Sequence, residues 1–203
     1  MKIVIAGGTG FVGQAIIARL LREDVEIHCI SRSKPSSIHH QRIKNHILDL
    51  GDSKQLDDLV KDADWVIDTI GILREKPSQN ITYDNSSWQP AKYLIDAVKS
   101  QTKPKFLFIS ANFAPRVLND YMLTKKRIET YAHEQLGERS KIVYPGIVYD
   151  KEKPITFIMG SLLSYATFIP IVARIRPIKR KDLAREIVKI VLGQSSDLQT
   201  RLD

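Results

Sequence analysis

The stretch IAGGTGFVGQAI, residues 5–16, constrains the fold of this chain more than any other. It follows the β-branched run KIVIA and opens a segment with apolar residues at helical spacing, so it joins a strand to a helix. Such a junction needs a tight turn and a close approach of two backbones, both of which glycine allows. Gly7, Gly10 and Gly13 fit the spacing G-x-x-G-x-x-G, and Gly8 with the latter two fits G-x-G-x-x-G.

The start of the predicted helix is suited to bind phosphate. The first N–H groups of a helix have no intrahelical acceptor, and the helix dipole is positive at that end. A glycine pattern between a strand and a helix is the fingerprint of dinucleotide binding. A purely structural glycine-rich turn is the alternative. We expect the pyrophosphate of a dinucleotide to lie against the backbone of five residues: Gly7, Gly10, Phe11, Val12 and Gly13.

Strands and helices alternate along the rest of the chain. The patterns predict strands over 2–6, 25–31, 45–50, 64–71, 104–110 and 140–145, and helices over 11–23, 53–61, 86–100, 120–136 and 179–193. Ser53 and Asn85 are the candidate N-caps of two helices, and Gly193 is the candidate stop of the last. Alternation of this kind predicts an α/β fold of the Rossmann type, with a doubly wound parallel sheet covered on both faces.

We expect a single domain over residues 1–203, because 43% of the residues are hydrophobic and no Pro/Gly/Ser-rich linker divides the chain. Within it, residues of about 146–180 would form a small pocket for a substrate.

The end of the second predicted strand should select the cofactor. An acidic residue there would bind a ribose 2′-hydroxyl, but this strand ends in Ser31 and Arg32, with Lys34 close behind. A guanidinium suits a 2′-phosphate through charge-assisted hydrogen bonds, so the sequence favours NADP, with NAD as the alternative. Arg32 and Lys34 could also be solvated loop charges. Asp49, after the third strand, is a candidate contact of the adenine or a strand-end cap.

Composition indicates the compartment and the kind of partner to expect for this protein. The one cysteine, Cys29, excludes an intramolecular disulfide, and KIVIAGG is too short for the apolar part of a signal peptide, so we expect a cytoplasmic protein. The net charge of +8 suits an anionic partner, but the basic residues are not interleaved with aromatic ones, and we expect no nucleic acid.

Residues 154–173 carry no charge and are followed by basic residues, which leaves peripheral membrane contact open. His39, His40 and His46 have no acidic or cysteine partner nearby, so we expect no metal. The sequence leaves the oligomeric state open.

Three motifs together resemble one family. AGGTGFVG, YPGIVYD (144–150) and RPIKRKDLAREI (176–187) are similar to segments of the short-chain dehydrogenase/reductase proteins of the extended and atypical branches. That group includes epimerases, reductases and relatives of the nucleotide-binding accessory subunit of respiratory complex I and of coenzyme Q biosynthesis. Tyr144 replaces the usual arginine, and the chain is short for the extended class, which implies a small substrate-binding part. The resemblance adds further residues to the cofactor site: Gly71, Pro145, Gly146 and Val148.

The resemblance also implies a Tyr-x-x-x-Lys pair on a helix. The spacing occurs as Tyr121–Lys125 and as Tyr149–Lys153, but the prolines around the second pair argue against a helix there. One helical turn brings the Lys125 ammonium beside the Tyr121 phenol, where it should lower the tyrosine pKa. Tyr121 would then exchange a proton with the substrate oxygen, and Lys125 would bind the nicotinamide ribose.

Ser110, at the end of the fifth strand, matches the family's position for a group that holds the substrate oxygen, with Asn112 as a substitute. Strand-end capping is the alternative for Ser110. The sequence thus predicts an NADP(H)-dependent oxidoreductase acting on a carbonyl or alcohol of a small apolar substrate. The second hypothesis is a non-enzymatic nucleotide-binding protein, which would serve as a redox sensor or as an assembly factor near a membrane complex.

Overall fold

The computed structural model describes residues 1–151 and 176–202. Six strands form one parallel sheet in the order β3-β2-β1-β4-β5-β6. These strands are β1 Lys2–Ala6, β2 Glu26–Ser31, β3 Ile43–Ile47, β4 Trp65–Asp68, β5 Lys105–Ile109 and β6 Ser140–Val143. The helices are α1 Phe11–Leu20, α2 Ser53–Val60, α3 Gln89–Lys99, α4 Asn119–Leu136 and α5 Arg180–Val191. This is the doubly wound Rossmann-type fold that the alternation predicts.

Both faces of the sheet are buried, which explains why β1 reads as an uninterrupted apolar run. Ile3 and Ile5 point to one core, together with side chains from α1 and α5. Val4 and Ala6 point to the other core, which α2, α3 and α4 cover. Because successive side chains of a strand point to opposite faces of the sheet, β1 contributes to both hydrophobic cores.

The chain reverses its direction of winding beside β1. β1 pairs with β2 on one side and with β4 on the other, and Ala6 is aligned with both Ile30 and Asp68. In such sheets, ligands bind at this switch point, outside the carboxyl ends of the strands. The glycine turn, the end of β2 and the end of β4 therefore share one edge.

Three local predictions are wrong. β3 lies at 43–47 rather than 45–50, because Leu48 and Leu50 turn into the second core. The cap of α2 is Asp52 and not Ser53, since the Asp52 carboxylate accepts the Gln55 N–H at 3.1 Å. Asn85 does not cap α3, because it lies inside a turn of π-helix over Asp84–Trp88, where its side chain accepts the Thr82 N–H at 3.0 Å.

The last helix agrees with the prediction, and Gly193 has a φ of +83° directly after it, as a glycine stop requires. A second, two-stranded parallel sheet, which the patterns do not predict, joins β7 Val148–Tyr149 to β8 Ile178–Lys179.

Most of the predicted pocket region, residues 152–175, lies outside the described residues, and so does the charge-free stretch 154–173. In the described part, no helix is long and apolar enough to cross a bilayer.

Candidate functional site

The glycine turn is a backbone cradle closed to side chains. Gly7 has a φ of +82°, and the Gly10 N–H donates to its carbonyl at 2.9 Å. A Cβ on Gly13 would lie 2.4 Å from the Gly7 oxygen and 2.7 Å from the Gly8 Cα. Gly10 caps α1 without any side-chain hydrogen bond, so backbone alone faces the amino end of the helix. The glycine motif is therefore a tight turn that opens α1, and phosphate binding at this turn stays a prediction.

Phe11 and Val12 form the first turn of α1. The guanidinium of Arg180 stacks on the Phe11 ring at 4.7 Å from its centroid and pairs with Asp150 at 3.1 Å. Val12 packs against the core on the α5 side of the sheet. The glycine turn thus lies close to the motifs YPGIVYD and RPIKRKDLAREI. Asp150 and Arg180 of these motifs follow Phe11 by about 140 and 170 residues along the chain.

A cavity of about 570 Å³ lies at the carboxyl ends of β2, β3 and β4, and its lining includes Arg32, Asp49 and Gly71. Within the described chain, no carboxylate pairs with Arg32, whose side chain is exposed. Asp49 accepts the Gly51 N–H at 2.9 Å, and the Ser31 hydroxyl donates to the Lys34 carbonyl. The cavity therefore carries an unneutralised cation at its rim and a carboxylate beside it.

Lys125 and Tyr121 lie one turn apart on α4. The Lys125 ammonium is 5.7 Å from the centroid of the Tyr121 ring and donates to the Ile109 carbonyl at 2.7 Å. Burial lowers the pKa of Lys125 to about 8. Burial, together with the nearby Tyr83 hydroxyl, raises the pKa of Tyr121 to about 12, which is opposite to the lowering expected from the spacing. In this arrangement, burial outweighs the neighbouring ammonium.

Gly71 connects the cavity to Lys125. Its φ of +153° suits glycine, and a Cβ there would lie 3.6 Å from the Lys125 Nζ. The Ser87 hydroxyl, which would be 3.5 Å from that Cβ, accepts the Ile72 N–H at 3.1 Å. The backbone at Gly71 therefore passes close to the Lys125 ammonium, and the expected contact of Gly71 with the cofactor stays a prediction.

Asp68, at the end of β4, is a site residue that the sequence reading does not identify. Only 1% of it is exposed. One carboxylate oxygen accepts the Ile70 N–H at 2.8 Å, and the other, Oδ2, has no partner in the described chain. Burial raises the pKa of Asp68 to about 7, opposed by the Ile70 hydrogen bond and the charge of Lys125. The available signal was a single acidic residue inside the apolar strand WVIDTIG.

Ser110 is buried at the end of β5, but its hydroxyl donates to the Glu129 carboxylate. Arg201 also binds that carboxylate, at 2.6 Å. Asn112 is joined to the last described residues, since its Oδ1 accepts the Leu202 N–H at 2.7 Å. Both candidates for holding a substrate oxygen thus have partners within the chain, and their contact with a substrate stays a prediction.

The segment after β6 is held between two loops. The Pro145 carbonyl accepts the Asn112 N–H at 2.8 Å, and the Gly146 N–H donates to the Arg176 carbonyl at 3.1 Å. Val148 packs against the core on the α5 side. Tyr149 lies in strand β7, and Lys153, the other residue of its Tyr-x-x-x-Lys spacing, falls outside the described residues.

Among the described residues, no cluster of three or more histidines, cysteines and carboxylates could hold a metal. His46 stacks on His28 across β2 and β3, with ring centroids 5.0 Å apart, and the two rings share a hydrogen bond of 3.0 Å. Cys29 is buried, as expected of a small core residue.

Comparisons with solved structures show the same fold. The UDP-glucuronic acid 4-epimerase of Bacillus cereus, solved with NAD, has a TM-score of 0.70 at 16% identity, and the match covers 95% of this chain and 74% of the epimerase. The enzyme WbmF of Bordetella bronchiseptica, solved with NAD⁺, has a TM-score of 0.67 at 17% identity, and the match covers 94% of this chain and 69% of the enzyme.

The curated relatives that match this chain are longer than it is. An uncharacterized chloroplastic protein of Arabidopsis thaliana is 26% identical over 165 residues, which are 75% of this chain and 52% of that protein. The UDP-glucose 4-epimerase of Rickettsia bellii is 24% identical over 157 residues, which are 70% of this chain and 46% of the epimerase. The chain therefore spans about half the length of these relatives. The family model described as NAD dependent epimerase/dehydratase family matches residues 3–136, more than half of the chain, and this protein belongs to that family.

Proposed function

We propose that this chain binds NADP(H) and acts as an oxidoreductase on a carbonyl or alcohol group. One observation carries the proposal: a turn whose glycines leave no room for a Cβ lies at the same sheet edge as a cavity lined by Arg32, with which no described carboxylate pairs. The family supports a nicotinamide dinucleotide as the ligand. The preference for NADP rests on Arg32.

The residues present fit such a cofactor. The cradle would hold the pyrophosphate, because a Cβ on Gly13 would fill the space that the turn leaves. Arg32 would take the 2′-phosphate, and Asp49 lies where it could meet the adenine. Lys125 would bind the nicotinamide ribose with the N–H groups that Ile109 leaves free. A bound nicotinamide supplies hydride exchange, which no side chain can provide.

Tyr121 would supply the proton. Its raised pKa keeps the phenol protonated at neutral pH, so it is ready to donate to a substrate oxygen rather than to withdraw a proton. Lys125 would stabilise the phenolate that remains after transfer, since its ammonium lies beside the ring.

The surroundings favour a small apolar substrate. Exposed apolar side chains lie on the loops after β4 and β5 and on the first turns of α4: Leu73, Phe113, Val117 and Leu123. The Tyr83 hydroxyl donates to the Leu73 carbonyl at 2.9 Å, and the Tyr83 ring lies 6.5 Å from that of Tyr121. Tyr83 therefore connects Leu73, one of these residues, to the proposed proton donor. A UDP-sugar, the ligand of several structural neighbours, is the competing class.

The second candidate is a nucleotide-binding protein without turnover. It is favoured by the partners of Ser110 and Asn112, which bind Glu129 and Leu202 instead of lining an open space. It predicts the same cofactor affinity and no consumption of NADPH.

Fluorescence titration with NADPH and NADH tests the cofactor. We expect tighter binding of NADPH, and Arg32→Asp should weaken NADPH by roughly 10- to 150-fold, the worth of one charge-assisted hydrogen bond, with little effect on NADH. Arg22→Asp, an equal charge change on an exposed residue after α1, is the control. Equal losses for both cofactors would show that Arg32 does not bind the 2′-phosphate. A screen of apolar carbonyl compounds and UDP-sugars, followed by nicotinamide absorbance, then separates enzyme from carrier.

A further inference from the structure

An acidic and a basic side chain, Asp68 and Lys125, are both buried around Phe108. Asp68 is aligned with Phe108 across β4 and β5. The Lys125 ammonium lies 4.4 Å from the centroid of the same Phe108 ring. Asp68 shares its side of β4 with Val66, which belongs to the core that α4 covers. Carboxylate and ammonium therefore enter one compartment, the first from the sheet and the second from the helix.

Burial makes each charge costly without the other. Asp68 is 1% exposed and Lys125 is 7% exposed. A buried ion without a counter-charge costs several kcal/mol in general, and it usually becomes neutral instead. The Asp68 Oδ2 has no hydrogen-bond partner in the described chain, so a nearby ammonium is what makes its charge tolerable.

The other titratable groups around Lys125 either bind another residue or are uncharged at neutral pH. Glu129, on α4, binds Arg201 and the Ser110 hydroxyl. Tyr121, also on α4, is an uncharged phenol at neutral pH. β5 presents the Phe108 ring and the Ile109 carbonyl, and neither titrates. Asp68 and Glu129 are the carboxylates whose charge acts on Lys125, and among the described residues only Glu129 has another cation as partner.

We propose that Asp68 is a positioning residue that keeps the Lys125 ammonium charged and so sets the upper pH limit of cofactor binding. Loss of its negative charge should let Lys125 lose its proton at lower pH, because burial then acts unopposed. The functional part rests on the proposed role of Lys125 at the ribose, whereas the pairing itself does not.

The test uses Asp68→Asn, which keeps the shape of the side chain and the acceptor for the Ile70 N–H. The Lys125 titration is followed by NMR of protein with ¹⁵N-labelled lysine, and the signal is assigned by its absence in Lys125→Met. We expect the Lys125 midpoint to fall by about 1–3 pH units, the effect of one nearby opposite charge. Asp58→Asn removes an exposed carboxylate from α2 and should leave the midpoint unchanged.

NADPH affinity is then measured across the same pH range. The alkaline loss of affinity should move to lower pH by the same amount as the Lys125 midpoint. An unchanged midpoint in Asp68→Asn overturns the pairing, and a shifted midpoint with an unchanged affinity profile overturns the positioning role. If wild-type protein does not bind NADPH, the proposed function fails while the midpoint still tests the pairing.

If Asp68→Asn does not fold, the pairing can be tested from the other side, by following the titration of Asp68 in a Lys125 variant. In Lys125→Met, the Asp68 carboxyl should release its proton at higher pH, as ¹³C NMR of the carboxyl carbon would show. An unchanged Asp68 titration in that protein also overturns the pairing.

Discussion

Gly13 offers the sharpest test of the cradle, because the smallest change, Gly13→Ala, adds one methyl group. Helix propensity alone favours this change by about 1 kcal/mol, since Gly13 lies inside α1. Steric fit opposes it. The new Cβ would lie 2.4 Å from the Gly7 oxygen and 2.7 Å from the Gly8 Cα, and both of these are backbone atoms.

The size of the effect follows from that overlap. Real Cβ contacts essentially never fall below 3.0 Å, so α1 and the turn must separate by roughly half an ångström or more. Overpacking of this kind costs about 1–3 kcal/mol. It also misplaces the N–H groups that would face the phosphates, and such groups work only within about 0.5 Å of their productive positions. We expect NADPH affinity to fall by roughly 10- to 100-fold, and further in Gly13→Val.

The assay is NADPH fluorescence titration combined with thermal unfolding. Ala18→Gly is the matched control, because Ala18 is an exposed residue of the same helix. This change lowers helix propensity by the amount that Gly13→Ala raises it. The control should lose about 1 kcal/mol of stability and keep its NADPH affinity. A folded Gly13→Ala protein that binds NADPH within twofold of the wild type would refute the cradle and, with it, the main support for the proposed function.

The other predictions concern the catalytic pair and the histidines. Tyr121→Phe should lower turnover of a verified substrate by about 10²–10⁴-fold and leave NADPH affinity unchanged, because the hydroxyl faces the substrate; turnover at the parent rate would end the catalytic assignment. Lys125→Met should lower both affinity and turnover, whereas a carrier would lose affinity alone. Burial lowers the pKa of both His28 and His46, so the unfolded chain takes up protons first as the pH falls below about 6.5. The histidine contribution to the free energy of unfolding should therefore decrease between pH 7 and 5, against the opposite contribution of Asp68, whose pKa burial raises to about 7. Urea titrations of wild type and His46→Asn isolate the histidine contribution, because the loss of stability with falling pH should be smaller in the variant; identical slopes would contradict this account.

Local sequence predicts the elements whose signals are local. A β-branched run, a glycine at a positive φ and apolar residues at helical spacing act within a few residues, and the order of strands and helices follows from them. The glycine turn is the clearest case, because Gly7 and Gly13 are required by the path of the backbone itself.

Boundaries and caps depend on neighbours that the sequence does not reveal. Asp52 and Ser53 are both good cap residues, and the position of α2 against the second core decides between them. The π-helical turn before α3 gives Asn85 a partner in Thr82, which no pattern over single residues indicates.

The sequence by itself thus determined the fold class, the glycine turn before α1 and the Tyr121–Lys125 spacing, since each rests on residues close together in the chain. Only the tertiary structure decided the electrostatics of the site. Burial raises the pKa of Tyr121, where spacing alone predicts a lowering, and the fold brings the Ser110 hydroxyl to the Glu129 carboxylate. It also raises the pKa of Asp68, a single acidic residue of a strand, to about 7. The cost of a charge depends on what surrounds it in space, and residues far apart in the chain supply those surroundings.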